Sequence, residues 1–510
     1  MRATHRISTD SVILGVLLAL GLPAVIVLSL PAAGRLAISP DSISYLTVAG
    51  QIAAGKGLTM PTFALFGNAT GSFTTWPPLF PLVLASGIAP IWIQAAALGS
   101  LGAVVFLLFA TSLRVNVLGS LLLAWACALS MPLLVDATYV WSEVLALAMT
   151  ALMLWSFAGI GSSGNWWRWA LGVVFCGLAI YARYAMALLV PGLMLALLLA
   201  PVDRLAHRLR LALLTPLAVG LMFMPLLWHN LAQSHQLTGA ARAVAHRGLL
   251  ANVSDAVLGM ASAFALTPLW KAVFVLALVA VLVVSGGALL GRMRAGSDGF
   301  ADERRDPAVW VARLSLVLAL VYAAGMVVLR TLVHFDRLDT RLMSPAVFLL
   351  GMSLCASLVA HARSPRHAAW ERAVLALPFA VLMALSLHRA TAQGDLAWHA
   401  WRERGSPAWP MNSLFVYSNM QPVDAPKVDG LVLCDRPMMV QFLTAWQARQ
   451  IPSGPWTDDR LRHIASAARA LLVDDGESAA LAAGLRPLLP QATMRQVAGG
   501  QLLQWTPPTR

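Results

Sequence analysis

The chain has 510 residues, 59% of them hydrophobic and only 12% charged, and its mean hydropathy is +0.72. Soluble domains carry about 25% charged residues, so this composition excludes an ordinary soluble protein and indicates a chain that lies mostly in lipid. The formal net charge is +13, but the basic residues stand in short segments between apolar runs rather than in one block. We therefore exclude nucleic-acid binding and interpret the basic residues as determinants of membrane topology.

Repeated apolar runs of about 18 residues or more predict a polytopic, mainly α-helical membrane protein. The first run follows MRATHR and is longer than the apolar region of a signal peptide, so we expect it to remain as a helix. The eleven predicted spans are 11–30, 91–113, 117–134, 138–159, 167–182, 185–200, 209–228, 265–290, 308–331, 343–360 and 373–389. A shorter apolar stretch at 77–89 predicts a half-helix or re-entrant element.

The distribution of arginine predicts the orientation of these spans. With a cytoplasmic N-terminus, the basic segments near residues 204–210, 292–305 and 363–372 all fall on the cytoplasmic side. The long segment 31–76 holds only Arg35 and Lys56 and falls on the opposite side, as the positive-inside rule requires. The C-terminal region is then also extracytoplasmic.

Composition changes after residue 389, where no further spanning segment occurs. Short strand-like runs alternate with helical candidates, which predicts a small α/β domain. The predicted strands are Leu414–Tyr417, Leu431–Cys434, Ala470–Val473 and Leu502–Trp505, and the predicted helices are Met438–Arg449, Asp459–Arg469 and Glu477–Leu488. We expect a transmembrane module at 1–389, with its first external loop at 31–90, and an extracytoplasmic domain at 390–510.

The first external loop holds the main candidate for chemistry, Asp41. Apolar residues recur at helical spacing after it, from Ile43 to Ile52, and predict an amphipathic helix along the membrane surface that ends at Gly55. Asp41 is either the N-cap of this helix, favoured by its orphan amides and dipole, or a general base for an acceptor hydroxyl. The residue pattern leaves both interpretations open.

Two further acidic residues fall near the start of a predicted span. Asp136 and Glu143 are seven residues apart, so on one helix they share a face about 10 Å apart along the axis. An ionisable group inside a span is costly and usually functional, which makes both residues candidates for a sugar or acceptor pocket. The alternative is a buried carboxylate paired with an arginine of a neighbouring helix.

Three arginines are candidates for binding a donor phosphate. Arg183 stands at the external end of a span, and Arg337 and Arg341 stand in the external segment HFDRLDTR. A departing phosphate needs cationic, preferably bidentate, partners, and arginine supplies that geometry. The alternatives are snorkelling, binding of lipid headgroups, or neutralisation by Asp336 and Asp339.

Two aromatic residues of the first external loop, Tyr45 and Trp76, are candidates for stacking on a sugar, with anchoring at the membrane interface as the alternative. The four cysteines show no metal-ligand spacing, and His334 could be a metal ligand, although a lone histidine is more often an interface residue. We therefore expect no resident metal, with a divalent cation at Asp136 and Glu143 as an optional addition.

The order of motifs resembles a known class of membrane enzymes. The first motif, Asp41-Ser-x-x-Tyr45, comes after a spanning helix. It is followed by a helix rich in small residues that ends G-x-G, and then by Trp76-Pro-Pro-Leu-Phe-Pro-Leu. Further matches are Trp141-Ser-Glu143, Ala182-Arg183-Tyr184 and Asp339-Thr-Arg341-Leu-Met-Ser-Pro345. Together they resemble membrane glycosyltransferases of the GT-C superfold, family 39-like, which include protein O-mannosyltransferase and aminoarabinose-transferase relatives.

The resemblance implies an inverting transfer of a sugar from a polyprenyl-phosphate donor to a lipid, glycan or protein acceptor. It implies a site on the extracytoplasmic face of a bacterial-type inner membrane, with Asp41 as the acidic catalytic residue. Many relatives carry a second acid where this chain has Ser42. The competing hypotheses are a flippase or transporter of lipid-linked sugars and a non-catalytic glycan-assembly protein; transporters commonly contain repeats, and none is visible here.

Overall fold

The computed structural model describes residues 8–29, 36–61, 70–160, 165–200, 204–237, 247–264, 306–333, 335–363, 428–434, 446–452, 456–473, 476–497 and 500–506, together with a few single positions between them. The chain divides into two compact units. The first comprises Met1–Leu36, Thr74–Val83 and Ile88–Trp409, and the second comprises Ala37–Phe73, Leu84–Gly87 and Pro410–Arg510.

The protein is mostly helical. In chain order the described helices are α1 Thr9–Ser29, α2 Pro40–Ala53, α3 Leu79–Leu84, α4 Pro90–Leu107, α5 Val117–Ala128, α6 Met131–Thr138, α7 Glu143–Ala158, α8 Trp166–Ala182, α9 Leu189–Leu198, α10 Leu205–Ser234, α11 Leu249–Phe264, α12 Pro307–Leu332, α13 Ser344–Arg363, α14 Asp458–Ala467 and α15 Gly476–Leu485. A π-helical turn extends α4 to Ser112, and a 3-10 turn, Tyr184–Leu188, precedes α9.

Four described helices are long and apolar enough to cross a membrane: α1, α4 with its π turn, α10 and α12. The bent pair formed by α5 and α6 adds a fifth if it is one span. Shorter apolar helices, including α7, α8, α11 and α13, fill the same unit. The polytopic membrane fold is therefore confirmed, whereas the count of eleven spans remains a prediction. The predicted span 373–389 and most of 265–290 lie outside the described residues.

Small residues let the first spans approach closely. A Cβ added at Gly102 of α4 would lie 2.4 Å from the carbonyl oxygen of Ala19 in α1, and one at Gly99 would lie 2.7 Å from that of Leu20. Both distances are too short for a side chain, so α1 and α4 pack backbone against backbone. Small residues at helix interfaces permit this packing in membranes, where apolar burial provides little driving force between helices.

The predicted span 117–134 is not one straight helix. Helix α5 ends at Ala128, and α6 begins at Met131 with its axis bent by 58°. Pro132 explains the break, because it has no N–H to donate to the carbonyl of Ala128 and its ring clashes with that carbonyl in a continuous helix. The expectation that Asp136 and Glu143 share one helix is wrong, since α6 ends at Thr138 and α7 begins at Glu143.

The second unit contains a short antiparallel hairpin and a mixed sheet. Strands β1 Thr59–Pro61 and β2 Thr70–Ser72 form the hairpin. The sheet consists of β3 Leu431–Cys434, β4 Gln447–Gln450, β5 Ala470–Val473, β6 Thr493–Val497 and β7 Gly500–Gln504, in the order β4-β3-β5-β7-β6. Strand β3 pairs in parallel with β4 and β5, and β7 pairs antiparallel with β5 and β6.

Helices α14 and α15 lie where the sequence predicts them, and their apolar residues pack with Leu433, Leu471 and Leu503 of the sheet. The predicted helix Met438–Arg449 is wrong at its end, because Gln447–Gln450 forms β4. Its residues favour helix locally, but pairing with β3 buries Ala448 and overrides that preference. The predicted strand Leu414–Tyr417 lies outside the described residues.

Candidate active site

Glu143 is the centre of a buried ionic cluster. It is the first residue of α7, where the helix dipole favours a negative side chain, and it is only 1% exposed. Arg183 directly follows α8, and its extended backbone ends that helix. Its Nη1 atom lies 2.5 Å from Oε1 of Glu143, and Arg183 is itself 5% exposed. The predicted alternative for Glu143, a partner arginine from a neighbouring helix, is therefore present.

Arg341 reaches the same carboxylate from the segment between α12 and α13. Its Nε atom lies 3.3 Å from Oε1 of Glu143, and its guanidinium carbon lies 4.6 Å from the ring centre of Trp141. Trp141 in turn stacks on Tyr139, with ring centres 4.1 Å apart. The side-chain amide of Gln94 donates to the carbonyls of Tyr139 and Trp141, which holds this turn against α4.

Asp136 completes the set of charged groups. It is fully buried, and neither carboxylate oxygen makes a hydrogen bond of normal geometry. The Ser344 hydroxyl lies next to it, and Glu143, Arg183 and Arg341 lie within electrostatic range. We call Asp136, Trp141, Glu143, Arg183 and Arg341 the Glu143 cluster. Its two carboxyl groups and two guanidinium groups come from four separate segments of the first unit.

Arg337 has a different partner. Its Nη2 and Nε atoms lie 2.8 and 2.9 Å from Oδ1 of Asp255, a residue of α11 that is 4% exposed. Nη2 of Arg247 lies 3.1 Å from Oδ2 of the same carboxylate. Sequence reasoning missed Asp255, because α11 was not among the predicted elements. The signal was present, since Asn252 and Asp255 are polar at positions i and i+3 of a largely apolar segment.

The two acidic residues of the segment HFDRLDTR do not both neutralise its arginines. Asp336 is exposed and lies 3.8 Å from Nη2 of Arg341. Oδ1 of Asp339 instead accepts the backbone N–H of Leu342 at 2.9 Å. Although Asp339 is exposed as a residue, partial removal of its carboxyl from water raises the pKa of that group above its ordinary value, and this backbone hydrogen bond opposes the rise in part. His334, between α12 and this segment, lies outside the described residues.

In the second unit, Asp41 lies in the first turn of α2 and is half-buried. It is not the N-cap, so that interpretation is wrong. Ser39 is the cap: its Oγ accepts the N–H of Ser42 at 3.3 Å, and Oγ of Ser42 accepts the N–H of Ser39 at 3.1 Å. This reciprocal capping box satisfies two orphan amides. Tyr45, one turn further on, is 2% exposed.

Trp76 belongs to the first unit and is half-buried ahead of α3. Within the part of the chain that the structure describes, no three His, Cys, Asp or Glu residues form a group able to hold a metal ion. In addition, Glu143 already has two cationic partners, so it is poorly suited as a metal ligand.

No protein-family model matches the chain, and no curated protein sequence matches it significantly. Among solved structures, the chain is similar to ArnT from Cupriavidus metallidurans bound to undecaprenyl phosphate, with 14% identity, 98% of each chain covered and a TM-score of 0.47. It is also similar to the oligosaccharyltransferase AglB from Archaeoglobus fulgidus in complex with an inhibitory peptide and a dolichol-phosphate, with 12% identity, 96% of this chain and 74% of that chain covered, and a TM-score of 0.44.

Both proteins are membrane glycosyltransferases of the GT-C superfold, the class that the sequence motifs resemble. With TM-scores below 0.5, these likenesses assign no substrate and no mechanism to this chain.

Proposed function

We propose that this protein is a membrane glycosyltransferase that moves a sugar from a polyprenyl-phosphate donor to an acceptor on the extracytoplasmic face. The observation that carries the proposal is the convergence of Arg183 and Arg341 on the buried Glu143 carboxylate. The two arginines come from segments more than 150 residues apart, and each bears a guanidinium group that matches an oxyanion in shape and charge.

The arginines would stabilise the phosphate as it leaves. A guanidinium group carries five N–H donors in a planar arrangement, which allows it to bind a phosphate bidentately. Donors held in place before the reaction stabilise developing charge without reorganisation. Glu143 would hold both guanidinium groups in position while no phosphate is bound, and the Trp141 ring would fix the plane of Arg341.

Asp41 would act as the general base. Ser39 and Ser42 cap α2, so the carboxylate of Asp41 is not needed for that purpose, which supports a chemical role. In the proposed step Asp41 takes the proton of an acceptor hydroxyl as that oxygen attacks the anomeric carbon. The bond between the anomeric carbon and the phosphate oxygen breaks, the polyprenyl phosphate leaves, and the configuration inverts. We propose no metal step.

The remaining candidates have supporting roles in this proposal. Arg337, held by Asp255, would bind the donor phosphate together with the Glu143 cluster. Asp136 and Trp76 of the first unit would contact the sugar or acceptor, and the same role is proposed for Tyr45 of the second unit. The topology that goes with it has eleven spans, a cytoplasmic N-terminus and an extracytoplasmic C-terminal domain that helps to select the acceptor. The acceptor is a lipid, a glycan or a protein.

The test is a transfer assay with purified protein in nanodiscs and a panel of polyprenyl-phosphate sugars. Native protein should form a glycosidic product, and Asp41→Asn should lower the rate about 10²–10⁴-fold, the usual effect of a lost general base. Asp459→Asn makes the same chemical change at an exposed position of α14 and should leave the rate unchanged. Full activity in Asp41→Asn would overturn the assignment, and movement of the lipid-linked sugar across liposomes without product would indicate a flippase instead.

A further inference from the structure

Arg330 is a buried cation that the proposed reaction does not use. It lies in the last turn of α12 and is 7% exposed. Its Nε and Nη1 atoms are buried, and neither has a hydrogen-bond partner among the described residues. The described contact of its guanidinium group is with the ring of Phe335, whose centre lies 5.5 Å from the guanidinium carbon.

This arrangement is energetically unfavourable for the protein alone. Arginine stays charged in proteins, so burial cannot be relieved by loss of a proton. Burying a charge is costly unless it is paired and hydrogen-bonded. The partial negative charge at the C-terminal end of α12 and the Phe335 ring offset the cost only in part. A buried guanidinium group with unused donors is therefore suited to a ligand that brings the missing negative charge.

The position of Arg330 separates it from the Glu143 cluster. Tyr322, Met326 and Arg330 follow one another at intervals of four residues, so they form one buried stripe on α12. Tyr322 lies beside Arg183 of the cluster. Arg330 is two turns further along, about 12 Å at 1.5 Å per residue. One phosphate group is too small to contact both ends of this stripe.

We propose that Arg330 binds the oxyanion of a membrane-lipid ligand at a site distinct from the Glu143 cluster. The planar guanidinium group suits a phosphate, and its Nε and Nη1 atoms both lack a hydrogen-bond partner among the described residues. Two sources supply this chemistry, the phosphate of a polyprenyl donor and the anionic headgroup of another lipid. The choice of a polyprenyl phosphate as one probe rests on the proposed function. The site itself follows from the burial of Arg330 and from its lack of hydrogen-bond partners at Nε and Nη1 among the described residues.

Lipid binding to detergent-purified protein tests the site directly. Native protein, Arg330→Gln and Arg210→Gln would be titrated with undecaprenyl phosphate, undecaprenol and phosphatidylglycerol by native mass spectrometry. Arg210 is an exposed residue of α10 and provides the matched control. Arg330→Gln should weaken binding of one of the phosphate-bearing lipids about tenfold and leave undecaprenol unchanged, as expected for lost charged hydrogen bonds. The lipid that is affected identifies the source, and native-like binding of both lipids by Arg330→Gln would overturn the proposal.

The melting temperature of the ligand-free protein is a second test, because a ligand-binding arginine and a structural arginine predict changes of opposite sign. If Arg330 is an uncompensated buried charge, Arg330→Gln should melt at a higher temperature than native protein. If Arg330 has a structural role, the variant should melt at a lower temperature, and that result would count against the site. If the variant does not fold, hydrogen exchange on native protein decides. A phosphate-bearing lipid should slow exchange at residues 327–333 more than undecaprenol does, and equal exchange would refute the site.

These measurements need no sugar transfer. A failed transfer assay with intact Arg330-dependent lipid binding would overturn the proposed function and leave this site standing.

Discussion

Arg183 and Glu143 form a buried ion pair, with Nη1 of the arginine 2.5 Å from Oε1 of the glutamate. The pair joins the end of α8 to the start of α7, and Arg341 approaches the same carboxylate oxygen at 3.3 Å. One carboxylate thus balances two guanidinium groups that are both largely removed from water. Glu143 is therefore required for the stability of the cluster, whatever the reaction.

Replacing Glu143 by glutamine should destabilise the protein strongly. The change leaves two buried guanidinium groups without their carboxylate, and removing one partner of a buried pair typically costs about 3–5 kcal/mol. The free energy of unfolding, measured by titration with denaturing detergent, checks this. Asp459→Asn is the matched control, because its ion pair with Arg462 is exposed and long, at 3.8 Å, and should give no measurable change. Equal stability of the two variants would contradict the role given to Glu143.

The aromatic support of Arg341 gives a second prediction. Trp141→Leu should raise the donor KM, because it removes a cation–π contact worth about 0.5–2 kcal/mol, and Trp141→Phe should raise it less. The chain offers a close control in Trp155, whose ring centre lies 4.6 Å from the guanidinium carbon of Arg168, the same distance as in the Trp141–Arg341 pair. Trp155→Leu should leave the donor KM unchanged, and a similar increase in both leucine variants would show that the effect is not specific to Arg341.

Variants at the N-terminus of α2 distinguish the structural role proposed for Ser39 from the catalytic role proposed for Asp41. Ser39→Ala removes the capping hydroxyl and should lower the free energy of unfolding by about 0.5–2 kcal/mol while sugar transfer by the folded protein persists. Asp41→Asn should do the reverse, with a large loss of transfer and a smaller change in stability. Unfolding curves and transfer rates of the two variants check this. A transfer rate that falls equally in both would indicate that Asp41 acts only through the helix end.

The ion pair between Asp255 and Arg337 gives a prediction about donor binding. Asp255→Asn and Arg337→Gln should both raise the donor KM. Arg247→Gln should not, because Arg247 has no part in the proposed phosphate contact. The rise for Asp255→Asn should be at most about fivefold, since Arg337 is largely exposed and such pairs contribute about 0.2–1 kcal/mol. Steady-state kinetics of the three variants decide. An equal effect of Arg247→Gln would mean that the three residues act only as a structural unit.

Local pattern predicted most of the fold, because apolar runs and helical spacing are local properties of the chain. It placed α2, the main spans and most of the C-terminal strands near their observed positions. It missed the bend before Pro132, where one proline divides a largely apolar run into two helices. It also failed at β4, where pairing with β3 overrides the local preference.

The ion pairs were harder to predict, since each joins distant segments. Glu143 and Arg183 are separate candidates in the sequence, and only packing makes them a pair. Neutralisation within its own segment was the alternative interpretation for Arg337, but its partner, Asp255, is 82 residues away. Arg330 was not a candidate in the sequence, because its burial and its lack of hydrogen-bond partners among the described residues depend on the packed structure.

Asp339 provides a prediction about pH. Partial removal of its carboxyl from water raises its pKa, so the folded protein keeps this proton at pH values where the unfolded chain has lost it. Between the ordinary Asp pKa of about 3.9 and the raised value, the folded state binds more protons, and the free energy of unfolding therefore falls as the pH rises. Asp339→Asn cannot ionise but keeps an oxygen that can accept the Leu342 N–H.

We therefore expect Asp339→Asn to match native protein near pH 4 and to be more stable than native protein at neutral pH. Other carboxyl groups titrate in both proteins, so the difference between their unfolding free energies isolates Asp339. Intrinsic tryptophan fluorescence during detergent unfolding, at a series of pH values, measures this difference. A difference that stays constant with pH, or one that favours native protein as the pH rises, would contradict a raised pKa at this position.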